Sequence, residues 1–297
     1  MILVVGNINY DILFPLAHLP DPHEKISCDK AYTGFGGSAA NTAWWLAKLG
    51  AQVTLAGAVG DDLLGRAHLE DLRKAGVDTR SVNIVDSATG IATIFSLGRE
   101  KRMIRAPGAN MKGEVRTDLV ASLVSSESRR LRDQEEGCDL IYLSGGDTQT
   151  LAGYAAQARE KNIPVVCGWH GAIESEVARQ VDNYILNADE VRMVTGQDDP
   201  VEGIRALDSQ IAAVTLPTGG CLVSEGINVL NVPAPELEPV DRTGGGDAFA
   251  AGFLAGLTKG LDVKECGRWG NAMAAAVIME MGARPEISIP EELKFSV

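Results

Sequence analysis

Short runs of β-branched and other apolar residues alternate along the chain with longer segments whose apolar positions recur at helical spacing. The short runs predict strands at 2–5, 53–58, 140–143, 165–167, 184–186 and 212–216. The longer segments predict helices at about 41–48, 63–74, 149–161, 173–180, 201–207, 246–259 and 263–281. Gly50, Gly76 and Gly260 each follow a last turn containing lysine, which combines a left-handed stop with a charge that suits the helix dipole. Strand and helix in strict alternation imply a mostly parallel sheet covered by helices on both faces, an α/β fold in three layers.

Two stretches break this rhythm, 12–35 and 90–107. In the second, Ile91, Thr93, Phe95 and Leu97 alternate before Gly98-Arg99-Glu100 turns the chain. Both read as extended antiparallel ribbon with no helix between strands, so they project as a small β lid over a site or form an ordinary edge hairpin. Residues 125–137 are polar and densely charged, as in a solvated helix or loop. No repeat, low-complexity tract or linker divides the chain, which reads as a single domain over 1–297.

Charge narrows the function. With 27 Lys+Arg against 40 Asp+Glu the net charge is −13, which argues against a nucleic-acid partner but leaves a small phosphorylated ligand open. No apolar stretch is long enough to span a membrane, and Lys25, the first basic residue, comes too late for a secretory signal. A cytoplasmic protein is expected. The five cysteines are widely spaced, with no C-x-x-C and no histidine pair, so they read as reduced thiols and not as a zinc site or disulfide framework.

The densest chemistry lies in Asp241-Arg242-Thr243-Gly244-Gly245-Gly246-Asp247-Ala248-Phe249, between an extended stretch and a helix rich in small residues. Three glycines let the chain turn sharply and aim successive N–H groups into one concavity, and a helix N-terminus adds partial positive charge. Asp247 stands where an anion would sit. It either caps the helix or accepts a proton from an attacking hydroxyl during phosphoryl transfer. Earlier, Gly34-Phe35-Gly36-Gly37-Ser38-Ala39-Ala40-Asn41 contains G-x-G-x-x-A, the dinucleotide fingerprint, but an extended ribbon separates it from the first strand. There is no Walker-type phosphate loop.

These motifs resemble the ribokinase (PfkB) family of carbohydrate and nucleoside kinases, whose late signature is D-T-x-G-A-G-D-x-F-x-x-G. Asp241, Thr243, Gly244, Gly246, Asp247, Phe249 and Gly252 fall on it, while Arg242 and Gly245 depart from it. The resemblance implies a ribokinase-like fold, an ATP-dependent kinase using magnesium, Asp247 as catalytic base and the backbone of Gly244, Gly245 and Gly246 as the anion site. It further implies sugar binding by Asp11, Gly36, Gly37 and Asn41, although an Asx turn at Asp11 and a plain helix start at Gly36-Gly37 are the competing readings. Asn187 and Glu190 match an N-x-x-E element that organises magnesium through water, a pattern that also occurs as a helix cap. Thr215, Thr218 and Gly220 border the expected nucleotide, with Pro217 where the family usually has glycine. Asp241 and Thr243 are implied as a monovalent-cation site, potassium being the ion expected.

The acceptor is expected to be the primary hydroxyl of a small sugar. Ser144-Gly145-Gly146-Asp147 and the early glycine motif look like microbial nucleoside kinases, whereas 98–102 running into Pro107-Gly108-Ala109-Asn110 looks like sugar kinases. Trp169-His170 could stack on a base or be structural. A dinucleotide-dependent oxidoreductase using residues 34–39 and a non-catalytic sugar or nucleotide sensor are the rivals. A homodimer through the exposed ribbon edge is the further partner expected.

Overall fold

The computed structural model describes residues 1–97, 100–116, 119–124, 138–168 and 177–295. In chain order the elements are β1 (Ile2–Gly6), β2 (Asn9–Pro15), β3 (Tyr32–Gly36), α1 (Ser38–Lys48), β4 (Val53–Gly60), α2 (Leu63–Lys74), β5 (Asp78–Val85), β6 (Gly90–Leu97) and β7 (Glu100–Ala106). There follow α3 (Leu119–Val124), β8 (Leu140–Ser144), α4 (Thr148–Glu160), β9 (Val165–Cys167), β10 (Asn183–Asn187), α5 (Ala188–Thr195), α6 (Pro200–Ala206) and β11 (Ile211–Thr215). The chain closes with β12 (Cys221–Glu225), β13 (Asn228–Val232), α7 (Gly245–Thr258) and α8 (Val263–Ile278).

Nine strands form the main sheet in the order β13-β12-β11-β10-β9-β8-β1-β4-β5. Every pairing from β11 through β5 is parallel, and β12 and β13 add an antiparallel edge. The strand period splits β1 between two cores: Ile2 and Val4 face a cluster with Trp45, Phe249 and Phe253, while Leu3 and Val5 face one with Leu151 and Tyr154. Helices α1, α7 and α8 therefore cover one face and α4, α5 and α6 the other. This is the three-layer α/β arrangement expected from the sequence.

The two irregular stretches build a separate four-stranded sheet, β3-β2-β6-β7. The expectation of purely antiparallel ribbon needs correction, because β2 and β6 run parallel and join two antiparallel hairpins, β2–β3 and β6–β7. Several boundaries also move. α1 begins at Ser38, three residues early, because Gly37 at φ 90° starts it, and α8 ends at Ile278. Strand β5, the β12–β13 hairpin and helix α5 are additions to the expected elements. The expected helix at 173–180 lies partly outside the described residues, which hold a 3-10 turn at Ala178–Gln180, and 125–137 and Trp169-His170 lie wholly outside them. Among the described residues all five cysteines are free, and no helix is long and apolar enough to cross a membrane.

Helix α7 carries the late signature, and its own packing fixes where that signature points. Phe249 and Phe253, both 1% exposed, stack at 6.0 Å on the face turned to the sheet. Phe253→Ala removes one of these rings without touching the N-terminal turn, and is expected to cost about 3–5 kcal/mol in urea unfolding. A cost below about 1 kcal/mol would show that α7 is not anchored by this face.

Candidate active site

At the carboxyl end of β1 the chain leaves the sheet, and Asn7, just after β1, and Ser144, the last residue of β8, meet the start of α1. The Ala40 amide donates to the Asn7 carbonyl at 3.2 Å, and the Ser38 hydroxyl donates to the Ser144 carbonyl at 3.1 Å. Ligands of open α/β sheets bind at this end. Strand β2 then turns into the lid and sets Asp11 directly against Gly36. A Cβ on Gly36 would stand 2.1 Å from Asp11 Oδ2, so the close approach requires glycine.

From the other side, residues 241–244 deliver the chain into α7. Gly244 is at φ 78°, and a Cβ there would lie 2.6 Å from Ala283 Cα, so glycine serves both the left-handed turn and the contact. No side chain caps α7. The Gly245 amide donates to the Arg242 carbonyl at 3.3 Å, while those of Gly244 and Gly246 make no hydrogen bond among the described residues. The amide cup is thus less open than three free glycines would make it, with Gly245 partly engaged. Around Gly246 there is open space, where the unpaired amides and the helix dipole favour an anion.

Asp247 is half-buried at the first turn, and its Oδ2 accepts from Asn41 Nδ2 at 2.8 Å. Asn41 is oriented by Arg284, whose Nε donates to Asn41 Oδ1 at 2.8 Å. The same guanidinium donates to Asp71 Oδ2 at 2.8 Å and to His68 Nε2 at 2.9 Å. A guanidinium has no acceptor, so His68 must present a lone pair and Asn41 its oxygen, leaving the Asn41 amide nitrogen for Asp247. Burial, reinforced by the Arg284 charge, pushes His68 well below the usual imidazole range and keeps it neutral. Burial also lowers Arg284 to about 10, where it remains a cation at neutral pH.

Both carboxyls facing this region are shifted upward. Burial raises Asp247 to about 7, against the Asn41 hydrogen bond, with the Asp11 charge adding to the rise. Burial likewise raises Asp11 to about 6, opposed by the Arg284 charge. Asp11 Oδ1 is buried and has no hydrogen-bond partner among the described residues.

Two cavities meet at the α7 N-terminus. One, of about 330 Å³, is lined by Asn7, Asn9, Asp11, Asn41 and Asp247, with Met103 and Arg105 of β7 above them. It also touches Gly37 and Gly244. The other, of about 590 Å³, is lined by Thr215, Thr218, Gly220, Gly245 and Gly246. Arg242 lines both, and its guanidinium donates to the Pro217 carbonyl at 3.0 Å, so two of the three departures from the expected motifs touch each other. Asn187 and Glu190 line neither cavity. They form the capping box of α5: Asn187 Oδ1 accepts from the Glu190 amide at 2.8 Å, and Glu190 Oε2 from the Asn187 amide at 2.9 Å. Asp241 and Thr243 are bonded to Lys101 Nζ of the lid, at 2.8 and 2.5 Å.

A family model described as pfkB family carbohydrate kinase matches residues 1–290. The chain belongs to the pfkB carbohydrate kinase family. Like other pfkB kinases it is a phosphotransferase acting on a hydroxyl group, of the sugar and nucleoside kinase class. It is 31% identical to an uncharacterized sugar kinase of Archaeoglobus fulgidus, over 80% of this chain and 96% of that one. Its fold is similar to adenosine kinase of Sinorhizobium meliloti, with a TM-score of 0.80, 26% identity and coverage of 97% and 96% of the two chains. It is also similar to Arabidopsis thaliana ribokinase complexed with ribose and ATP, with a TM-score of 0.78, 25% identity and coverage of 95% and 93%.

In this pfkB kinase, sequence reasoning missed Arg284, His68 and Asp71 as a group, and Lys101. Arg284 meets its three partners across 213 to 243 residues of chain, so no local pattern marks it.

The raised carboxyls carry a stability consequence. A carboxyl whose folded pKa exceeds its unfolded value contributes stability that is full at low pH and lost as pH rises through the folded pKa. Asp11 and Asp247 therefore weaken the unliganded fold progressively as pH rises from about 4 to about 6 and about 7, respectively. Asp247→Asn removes the larger part, so at about pH 8 the variant is expected to exceed wild type by on the order of 2 kcal/mol, with the gap narrowing below about pH 7 and closing only below about pH 4. Equal stabilities at about pH 8 and at about pH 4 in chemical denaturation would show that Asp247 is not raised.

Proposed function

We propose that this kinase transfers the γ-phosphoryl group of ATP to a primary hydroxyl of a small sugar. The observation that carries the reading is the meeting of two cavities at the α7 N-terminus, with Asp247 on the acceptor side and the Gly245-Gly246 backbone on the other. ATP lies in the larger cavity, whose about 590 Å³ suits a ligand of its size. Its γ-phosphate points at the free amides and at Arg242. The acceptor lies in the smaller cavity against Asp11, Gly36, Gly37 and Asn41, where the unpartnered Asp11 oxygen accepts a sugar hydroxyl.

In the transfer, Asp247 takes the hydroxyl proton, the acceptor oxygen bonds to γ-phosphorus, and the bond from γ-phosphorus to the bridging oxygen of ADP breaks. A loose transition state asks little of the base, and a carboxyl near pKa 7 is well matched to neutral pH. Asn41 aims the Asp247 carboxylate. The lid above the acceptor excludes water and so suppresses ATP hydrolysis.

Magnesium fits as an outer ion. Asn187 and Glu190 offer the oxygen donors this hard cation prefers, and the Glu190 charge is felt at Asp247, but the capping box engages the single side-chain oxygen of Asn187 and one of the two of Glu190. They would hold it through water, and when bound it would neutralise charge on the phosphate oxygens.

No aromatic side chain among the described residues lines the acceptor cavity, which favours a sugar over a stacked base. A nucleoside is the second reading, because a neighbouring cavity of about 300 Å³ shares Asn7, Asn9 and Arg105 and extends the space.

An ADP-release screen over sugars and nucleosides is expected to give its highest turnover with a sugar; nucleosides alone turning over would reverse the order of the two readings. With the active acceptor, Asp247→Asn is expected to lose at least about a thousandfold in kcat, since asparagine cannot take the proton. The wild-type rate is expected to rise with pH to a plateau above about 7, as Asp247 ionises. Binding without turnover of any acceptor would indicate a sensor. Arg242→Gln is expected to lower kcat/KM for ATP by about tenfold to a hundredfold, and an unchanged value would exclude Arg242 from the phosphate site.

A further inference from the structure

Residues Asp241 and Thr243 do not fit the monovalent cation expected of them. Asp241 is buried, with its side chain 4% exposed, and its acceptor sites are filled. Oδ1 receives Lys101 Nζ at 2.8 Å, the Thr243 amide at 3.0 Å and the Thr243 hydroxyl at 2.8 Å, and Oδ2 receives the Gly282 amide at 3.0 Å. Thr243 Oγ1 in turn accepts from Lys101 at 2.5 Å. A carboxylate with four donors, one of them a paired ammonium, leaves a second cation facing the charge of the first.

We propose that Lys101 is a tethered cation that stands in for the monovalent ion and that makes the catalytic turn depend on the lid. The inference rests on the phosphotransfer reading above. Lys101 reaches the turn by register. On β7 residues two apart share a face, and Lys101, Met103 and Arg105 all line the acceptor cavity. Asp241 and Thr243 are the first members of the turn that ends in the α7 amides. Pinning them with an ammonium fixes the direction of those amides and adds positive charge behind the phosphate. A diffusing ion could do both, but only a residue of the lid withdraws that charge when the lid opens. Burial alone would raise Asp241, yet Lys101 and Thr243 hold it below the usual carboxylate range, consistent with a pair that stays ionised.

Lys101 touches no reacting atom in this scheme and is a positioning residue. The test has two arms. Thermal unfolding of the wild type in KCl and in N-methylglucamine chloride, at equal ionic strength, is expected to agree within about 1 °C. In the assay with ATP and the acceptor that turns over fastest in the screen, the same exchange is expected to change kcat by less than about twofold. Lys101→Met is expected to lose about thirtyfold or more in kcat while acceptor KM changes less than about threefold, and Lys101→Arg to keep kcat within about tenfold of wild type. A midpoint or rate raised by potassium in the wild type would overturn the proposal, as would Lys101→Met with normal kcat or with a defect confined to KM. Should Lys101→Met not fold, the wild-type cation exchange and Lys101→Arg still decide. If no sugar or nucleoside accepts phosphate, the kinase reading fails, while the thermal comparison continues to judge whether the site takes potassium.

Discussion

A carboxylate at the mouth of an anion-binding helix turn is unfavourable unless something holds it there, and in this fold the holder is a buried arginine acting at one remove. Arg284 fixes Asn41, and Asn41 fixes Asp247. Each contact is a hydrogen bond of 2.8 Å between groups on different elements, so the distance between α1 and α7 is set by polar geometry as well as by apolar packing. Burying a guanidinium is costly, and breaking one side of such a pair is costlier still. Here the cost is met by Asp71, His68 and Asn41 together, which occupy donors on several sides of the fork. The arrangement is worth more as a positioning device than as a source of stability.

That device explains why the two glycine motifs stand some 200 residues apart in sequence and a hydrogen bond apart in space. The parallel sheet carries the end of β1 and the start of α1 to the same edge as α7, and Thr42 and Trp45 add contacts to the Asp247 and Ala283 carbonyls. Asn41 was expected to bind substrate. It does line the acceptor cavity, and with one amide N–H given to Asp247 and its oxygen accepting from Arg284, its second N–H remains. On the proposed reading, it serves the acceptor directly and through the base it aims.

Where apolar periodicity was strong, the elements were legible: β1, β4 and β8 are nearly continuous apolar runs because both faces of a parallel sheet are covered. β5 was not, since as an edge strand it reads Asp-Thr-Arg-Ser-Val-Asn-Ile-Val and is only partly buried. In the β12–β13 hairpin β13 is likewise a largely exposed edge, while β12, Cys-Leu-Val-Ser-Glu, is short and buried, and Gly226 at φ 58° marks the turn between them. Asn187 and Glu190 were read both as a magnesium element and as a helix cap, because Asn and Glu three apart serve either purpose; the structure shows the cap. The late turn was legible because its chemistry is written in consecutive residues. Arg284 and Lys101 were not, because their meaning depends on which distant groups the fold brings to them.

Charge distribution adds a last constraint. A chain with net charge −13 repels a polyanionic nucleotide at long range, yet at physiological ionic strength such repulsion fades over about 8 Å. On the proposed reading, what the phosphates meet is local: Arg242 between the cavities, Lys101 behind the turn, and unpaired amides at the helix start. Asp11 and Asp247 oppose these positive groups, and burial has already moved both toward the neutral form. At neutral pH burial leaves Asp247 partly protonated, and on the proposed reading it acts as a base only as it releases that proton. Binding a nucleotide would raise that carboxyl further, and the cationic groups around it counter the effect. On this argument the positive charges at the junction serve the base as much as the phosphate, since without them the anion would protonate the group meant to accept the proton.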